Sequence, residues 1–149
     1  MLKVKRILCP TDFSEGSYKA LEIACGYADH FAAELILVHV VAPVPTTMAG
    51  PETAMAFDVS SYEDHLLKTS EKHIKEVAEK RVPGEIKVKP MILRGDPADQ
   101  IIRIAEKEGV DLTVISSRGH SSFKEMLFGS VAEKVIRHSG NPVLSVRED

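Results

Sequence analysis

The segment 116–131 combines residue types that suit the binding of an anion such as phosphate. It opens with Ser116-Ser117-Arg118-Gly119-His120 and closes with Gly129-Ser130-Val131. Glycines let a backbone approach a ligand closely, and Ser130 with Glu133 has the spacing of a helix capping box. The start of a helix presents unpaired N–H groups and the positive end of the helix dipole, which together attract anions. A long loop before a capped helix, without any ligand, is the alternative that spacing alone leaves open.

A second polar turn, Pro10-Thr11-Asp12-Phe13-Ser14-Glu15, follows the apolar run Ile7-Leu8-Cys9. Asp12 and Glu15 have capping-box-like spacing, which predicts Asp12 as the N-cap of a helix. A carboxylate also accepts several hydrogen bonds, so Asp12 could accept from a ribose hydroxyl or from a base amino group. The two roles are compatible, and the residues alone leave both open.

Several familiar chemical motifs are absent from the sequence. It contains no GxxxxGK[ST] or GxGxxG phosphate loop, no GxSxG nucleophile elbow and no HExxH metal motif. His65 and His73 lie two helical turns apart, too far to chelate one ion, and are predicted to be surface residues. Cys9 and Cys25 are predicted to be buried thiols of a reducing compartment. The sequence therefore indicates no metal site, no activated nucleophile and no catalytic acid–base pair.

The composition narrows the class of protein. A chain of 149 residues fits one domain, and we expect residues 1–149 to form it. Nineteen basic and 22 acidic side chains leave a net charge of −3, which does not favour nucleic acid as a partner. No run of about 18 apolar residues predicts a membrane helix, and the N-terminal apolar run is too short for a signal peptide. We therefore expect a cytoplasmic protein that binds neither nucleic acid nor membrane.

Strand and helix patterns alternate along the chain and position the two polar turns. Apolar runs predict strands at 7–9, 35–41, 86–93, 112–115 and 143–146, and His39 in the second of them is predicted to be packed or at an edge. Helical spacing predicts helices over 20–31, at about 61–80, after Asp96-Pro97 and over 130–138. This alternation predicts an α/β fold with a parallel sheet, and Pro90 predicts an edge position or a bulge for the third strand. Ligands of such sheets lie beyond the carboxyl ends of the strands, where both polar turns meet if the first and fourth strands are neighbours.

One connection, residues 42–60, is long for a compact domain. Loops of this length are uncommon unless they form a lid, a contact surface or a disordered segment. Met48, Met55 and Phe57 could cover a ligand or a partner, and a loop without such a role is an equal alternative.

Over essentially its whole length the sequence resembles the universal stress protein family. The resemblance is carried by Ile7–Ser14, Leu37–Val40, Gly129–His138 and Asn141–Leu144. The ATP-binding branch of the family has the motif Gly-x2-Gly-x9-Gly-(Ser/Thr), and Gly119, Gly129 and Ser130 match its second half.

Ser116 stands at the position of the first glycine of this motif. If the backbone there requires a positive φ, serine is strained by on the order of 1 kcal/mol or more. If glycine serves only for close approach, a serine fits and can donate a hydrogen bond.

The resemblance implies an open five-stranded parallel sheet in the order 3-2-1-4-5 with helices on both faces, an adenine-nucleotide α-hydrolase-like and Rossmann-like fold. It implies ATP or another adenine nucleotide as the ligand, with Mg²⁺ as a candidate companion, in a stress-response regulatory module with at most slow hydrolysis. Family members commonly dimerise through the last strand, here Val143–Val146, and an apolar edge strand favours such pairing. The implied nucleotide site comprises Pro10, Thr11, Asp12 and Val40 at the ribose and base, and Ser116, Gly119, Gly129, Ser130 and Val131 at the phosphates. We add Arg118 to the site, because its charge could screen that of the phosphates.

Two other functions stay open at this point. One is a dimeric interaction protein of the same family that binds no nucleotide, which Ser116 favours and the matching glycines oppose. The other is an enzyme of the related adenine-nucleotide α-hydrolase group, which uses ATP to activate a substrate. That chemistry normally brings a Ser-Gly-Gly-type loop after the first strand, and Pro10-Thr11-Asp12-Phe13-Ser14 is not such a loop.

Overall fold

The structure is a computed structural model that describes residues 1–44, 58–118 and 129–148. Within these ranges strands and helices alternate as the sequence predicts. The elements are β1 (Arg6–Pro10), α1 (Glu15–Phe31), β2 (Glu34–Val41), α2 (Val59–Arg81), β3 (Val88–Arg94), α3 (Pro97–Lys107), β4 (Leu112–Ser116), α4 (Ser130–His138) and β5 (Val143–Val146).

The strands form one parallel sheet in the order β3-β2-β1-β4-β5. This order confirms the expectation 3-2-1-4-5. Because β1 pairs with both β2 and β4, the turns that follow Pro10 and Ser116 lie side by side at the carboxyl edge of the sheet. Pro90 lies in β3, an edge strand, where a residue without an N–H donor is tolerated.

Helices cover both faces of the sheet, as expected. Alternate residues of the central strands point to opposite sides, so that Cys9 and Leu37 pack with α1 and α2, whereas Leu8 and Val38 pack with α3 and α4. The central strands are therefore apolar on both faces, which explains their almost uninterrupted hydrophobic sequences.

The inward face of α1 differs from the stripe that helical spacing predicts, which consists of Ala20, Ile23, Ala24, Tyr27, Ala28 and Phe31. Ala20, Ala24 and Ala28 are buried as predicted, but Leu21 and Cys25 complete the buried face. Tyr27 remains 38% exposed and stacks on Phe31 at a ring-centroid distance of 6.3 Å. Leu21 and Cys25 on one side of the alanines and Tyr27 on the other side both fit a period of 3.6. The side with Leu21 and Cys25 faces the core, because it carries no tyrosine hydroxyl that would need a hydrogen-bond partner.

The helices before and after β3, α2 and α3, each begin at an aspartate N-cap. Asp96 is the N-cap of α3, since its side chain accepts from Asp99 N at 3.0 Å, with Pro97 in the first turn as predicted. Asp58 caps α2 in the same way, so the final residues of the predicted loop 42–60 are helical. The residues Met48, Met55 and Phe57 lie outside the described ranges. Of the helices that the structure describes, none is long and apolar enough to span a membrane.

Candidate functional site

A cavity of about 260 Å³ opens at the carboxyl ends of β1, β2 and β4 and extends to the starts of α3 and α4. The structure places nine of the ten predicted site residues on its wall: Pro10, Thr11, Asp12, Val40, Ser116, Arg118, Gly129, Ser130 and Val131. The tenth, Gly119, lies outside the described residues. Segments that are distant in sequence thus converge on a single site.

The first turn of α4 forms one wall of the cavity. Gly129 is the N-cap, with φ −67° and ψ 159°, and as a glycine it provides no capping side chain of its own. Ser130 starts α4 as predicted, but it is the first helical residue and not the N-cap, so the capping-box prediction for Ser130 is wrong. The N-cap therefore takes up none of the first-turn N–H groups with a side chain, and a helix start of this kind on a cavity wall suits an anion.

The turn after β1 positions Asp12 beside the cavity. Its Oδ1 accepts hydrogen bonds from Ser14 N at 3.0 Å and from the Ser14 hydroxyl. The prediction of Asp12 as N-cap is wrong: Ser14 caps α1, and its Oγ accepts from Ser17 N at 3.2 Å. The reason is Phe13, whose φ of 64° turns the chain and delays the helix by two residues.

Thr11 is buried and held on three sides. Its backbone N–H donates to Val38 O at 2.8 Å, and its Oγ1 accepts from Phe13 N at 3.0 Å. The hydroxyls of Thr11 and Ser17 lie 2.9 Å apart. Ser17 also lines the cavity, and the sequence reasoning missed it because Ser17 belongs to the first turn of a helix rather than to the polar turn.

His39 joins β2 to the same turn. Its Nδ1 lies 2.7 Å from the carbonyl oxygen of Thr11, and since a carbonyl only accepts, Nδ1 carries the proton. The ring also lies 4.4 Å from that of Phe13, whose other side stacks on His73 at 3.9 Å. His39 is therefore packed, as predicted, and it lines the cavity as well, whereas His73 is exposed but forms part of an aromatic stack.

Ser116 adopts an ordinary backbone conformation, because the described non-glycine residues with positive φ are Phe13 and Ala32. Its Oγ donates to the carbonyl of Arg118 at 2.7 Å. Of the two alternatives for a serine at the first glycine position, strain is excluded for this conformation, and the hydroxyl donates to a carbonyl of the chain itself. Ser117 N donates to Val146 O at 2.8 Å, which ties the exit of β4 to β5.

The start of α3 supplies an apolar part of the wall that the sequence reasoning missed. Pro97 and Ile101 line the cavity, together with Val38, Ile115 and Ala132.

The backbone N–H of Asp99 and then the ammonium of Lys134 hold the pKa of Asp96 below its usual value. Lys134 also lies 2.8 Å from a carboxylate oxygen of Asp99, so a cation on α4 compensates the acidic start of α3.

The wall offers little for metal or acid–base chemistry. Asp12 is the one carboxylate among the described residues that line the cavity. In the described part of the chain no three histidine, cysteine or acidic side chains come together as a metal-binding group. The arrangement suits a ligand with one apolar and one anionic part.

Comparisons with known proteins agree with this geometry. The sequence profile of the Universal stress protein family matches residues 3–147. The chain is 33% identical to universal stress protein MJ0577 of Methanocaldococcus jannaschii, over 96% of this chain and 94% of that protein. It is 32% identical to universal stress protein YxiE of Bacillus subtilis, over 95% of this chain and 98% of that protein.

Solved structures have the same fold. The structure of MJ0577 superposes with a TM-score of 0.83 at 33% identity, over 99% of this chain and 98% of that one. A universal stress protein of Archaeoglobus fulgidus in complex with dAMP superposes with a TM-score of 0.60 at 19% identity, over 97% and 98% of the two chains, and this likeness concerns the fold alone. On the family match and the shared identity, the chain belongs to the universal stress protein family.

Proposed function

We propose that the chain binds ATP, or another adenine nucleotide, in the cavity at the carboxyl edge of its sheet and acts as a cytoplasmic regulatory module of the stress response. The observation that carries this proposal is the start of α4 at the glycine N-cap Gly129, which lines the same cavity as the ends of β1, β2 and β4. Residues 1–149 act as one nucleotide-binding domain in this proposal.

The phosphates are assigned to the polar end of the cavity. Gly129 brings backbone close to the ligand, and the N–H groups of Ser130 and Val131 are aligned with the positive end of the α4 dipole. Arg118 lines the same region and adds a full positive charge. Ser116 and Gly119 complete this end of the site in the proposal. Ser116 lines the cavity, and Gly119 is included only because of its position in the family motif.

The base and ribose are assigned to the other end of the cavity. Val40, Ile101 and Ile115 offer apolar contact for a base, while the Asp12 carboxylate and the Thr11 backbone lie where a ribose hydroxyl or an amino group could bind. Val38 and Pro97 extend the apolar wall. A mixed apolar and polar lining is typical of small-molecule sites.

Structures of other family members support an adenine nucleotide as the ligand. One universal stress protein was solved in complex with cAMP, and it superposes on this chain with a TM-score of 0.62 at 23% identity. The protein of Archaeoglobus fulgidus binds dAMP. Both ligands share an adenine base and a phosphate, the two groups for which this cavity offers matching walls.

Hydrolysis of ATP is at most slow in this proposal. A hydrolase needs a group that positions or deprotonates water, and Asp12, the one carboxylate among the described lining residues, is assigned to the ribose and base in this proposal. Mg²⁺, where it accompanies ATP, would be held chiefly by the phosphates, because Mg²⁺ usually takes few protein ligands beside them.

A substitution at Gly129 tests the proposal. Gly129→Val places a branched side chain at a buried residue of the phosphate wall and is expected to abolish ATP binding, measured by calorimetry. Gly26→Ala is the matched control, since a Cβ at Gly26 meets nothing within 4 Å. Normal ATP binding by a folded Gly129→Val variant would place the phosphates elsewhere.

We also propose that two copies of the chain pair through β5. This strand is an edge of the sheet, and it directs the carbonyls of Pro142 and Val146 to β4. Backbone N–H and C=O groups of successive residues in a parallel strand point to opposite sides. The backbone groups of Val143 and Ser145 therefore face the open edge of the sheet. Val143→Pro is expected to convert a dimer into a monomer in analytical ultracentrifugation, and a monomeric parent protein would refute the pairing.

A further inference from the structure

We propose that Ser116 is a positioning residue of the nucleotide site and that Gly16 provides the space its hydroxyl requires. The inference rests on the proposed function, because it assigns a role toward the same cavity. It concerns the position at which the family motif has a glycine and this chain has a serine.

The hydroxyl of Ser116 controls how the chain leaves the sheet. Ser116 is the last residue of β4 and is 8% exposed. Its Oγ donates to the carbonyl of Arg118 at 2.7 Å, which fixes the direction of that carbonyl. The hydroxyl that donates to this carbonyl partly compensates its negative charge, which lessens the repulsion between the carbonyl and an anion in the cavity. Arg118 then contributes its cationic side chain to the site.

Gly16 lies in the first turn of α1, directly opposite this hydroxyl. A Cβ at residue 16 would lie 3.0 Å from Ser116 Oγ and 3.2 Å from Glu148 Oε2. Ordinary contacts of a Cβ atom lie at 3.4–4 Å, so an alanine at this position requires the hydroxyl or the carboxylate to move. Gly16 and Ser116 are thus a steric pair, in which a hydroxyl on β4 occupies space that α1 leaves open.

This arrangement separates the inference from two simpler roles of a serine. A hydroxyl that only fills space would change stability without changing affinity for phosphate. A hydroxyl that donated directly to the phosphates would need its single hydrogen for them, whereas the Ser116 hydroxyl donates that hydrogen to the carbonyl of Arg118. A positioning hydroxyl acts through this carbonyl, so a residue at position 16 that displaces the hydroxyl must affect ATP binding as well.

The experiment compares the affinities of ATP and adenosine for the parent protein and its variants by calorimetry. Ser116→Ala and Ser116→Gly are expected to weaken ATP binding about 3- to 10-fold, on the order of one lost neutral hydrogen bond, and to change adenosine binding less than about twofold. Gly16→Ala is expected to reproduce this loss, and adding it to Ser116→Ala should cause no further loss. Ser139→Ala is the matched control, since its hydroxyl donates to Asn141 Oδ1 at 2.8 Å beyond the opposite end of α4.

Thermal unfolding of the same variants checks the steric pair without any ligand. Gly16→Ala should lower Tm in the parent protein and raise it in the Ser116→Gly background, because alanine favours a helix over glycine once the hydroxyl is gone. Equal shifts of Tm in the two backgrounds would overturn the steric pair.

Two results of the binding experiment would overturn the inference alone. One is a Ser116→Gly variant that binds ATP as tightly as the parent or more tightly. The other is an equal loss of affinity for ATP and adenosine, which would indicate a general loosening of the site. A parent protein that binds neither ligand would instead refute the proposed function, and the inference with it.

Discussion

The imidazole Nδ1 of His39 lies 2.7 Å from the carbonyl oxygen of Thr11 and joins β2 to the turn after β1. Thr11 also donates its N–H to Val38 O, so two contacts bind this turn to β2. Thr11 and His39 both line the cavity, and the hydrogen bond therefore fixes part of the candidate site itself.

Substitutions at His39 should separate this hydrogen bond from the bulk of the ring. His39→Ala removes the donor and is expected to lower the free energy of unfolding by about 0.5–1.5 kcal/mol from the hydrogen bond alone, with further loss from packing. His39→Asn retains an N–H donor near the position of Nδ1 and should recover part of that stability. The measurement is urea unfolding at pH 8. Equal stability of the two variants would show that the hydrogen bond contributes nothing.

Phe13 combines an unfavourable backbone conformation with favourable stacking. Its φ of 64° is costly for a residue with a Cβ, while its ring stacks on those of His39 and His73. Phe13→Ala loses the stack and keeps the strained φ, whereas Phe13→Gly loses the stack and relieves the strain. We therefore expect both variants to be less stable than the parent in chemical unfolding, with Phe13→Gly the more stable of the two. The reverse order would contradict the assigned backbone conformation.

Asp96 should make the stability of the chain depend on pH in the acid range. Its hydrogen bond from Asp99 N and the nearby charge of Lys134 lower its pKa in the folded state. A lowered pKa stabilises the fold above the unfolded value of about 3.9, and this contribution is lost as the pH falls through the folded value. Asp96→Asn keeps a capping side chain that does not titrate, so it should lose less stability than the parent between about pH 5 and pH 2.

The control for this prediction is Asp96→Ala, which removes the cap and should cost about 0.5–2 kcal/mol at neutral pH. Identical acid unfolding curves for the parent and Asp96→Asn would exclude Asp96 as a source of the pH dependence.

Neither thiol of the described residues should react in the folded protein. Burial, and then the proximity of Cys25, raises the pKa of Cys9 far above its ordinary value. Burial and then the charge of Glu22 raise the pKa of Cys25 to about 11. Because the thiolate is the reactive form, we expect slow alkylation by iodoacetamide at pH 8 and rapid alkylation of both thiols in denaturant. Rapid labelling of the native protein would show that α1 opens from the sheet.

The sequence contains enough information to predict the elements of this fold, because apolar runs and helical spacing are local patterns. The neighbours of β1 are not a local property, and the order of the strands followed from the family resemblance rather than from the residues. That order explains why Thr11 and Ser116 meet at one cavity. Pro97 and Ile101 were missed because α3 connects β3 to β4, two strands that are not neighbours in the sheet. The position of such a helix over the sheet is not a local property of its sequence.

The helix caps show where local patterns were ambiguous. Asp12 and Ser14 are both good capping residues, and the left-handed conformation of Phe13 decides in favour of Ser14. Gly129 and Ser130 are also both acceptable caps, and the helix begins after the glycine. At Ser116 the sequence left strain and hydrogen bonding open, and the backbone conformation decided between them.

The most direct test of the central proposal is a calorimetric titration of the nucleotide-free parent protein with ATP and Mg²⁺. In parallel, a second sample of the protein as purified, from which no nucleotide has been removed, should be denatured. The supernatant is then separated by ion-pair chromatography to identify any nucleotide that was bound. We predict binding of one ATP per chain, or recovery of an adenine nucleotide in a one-to-one ratio with the chain. No heat of binding with millimolar ATP, together with a supernatant free of nucleotide, would contradict the assignment of this cavity to an adenine nucleotide.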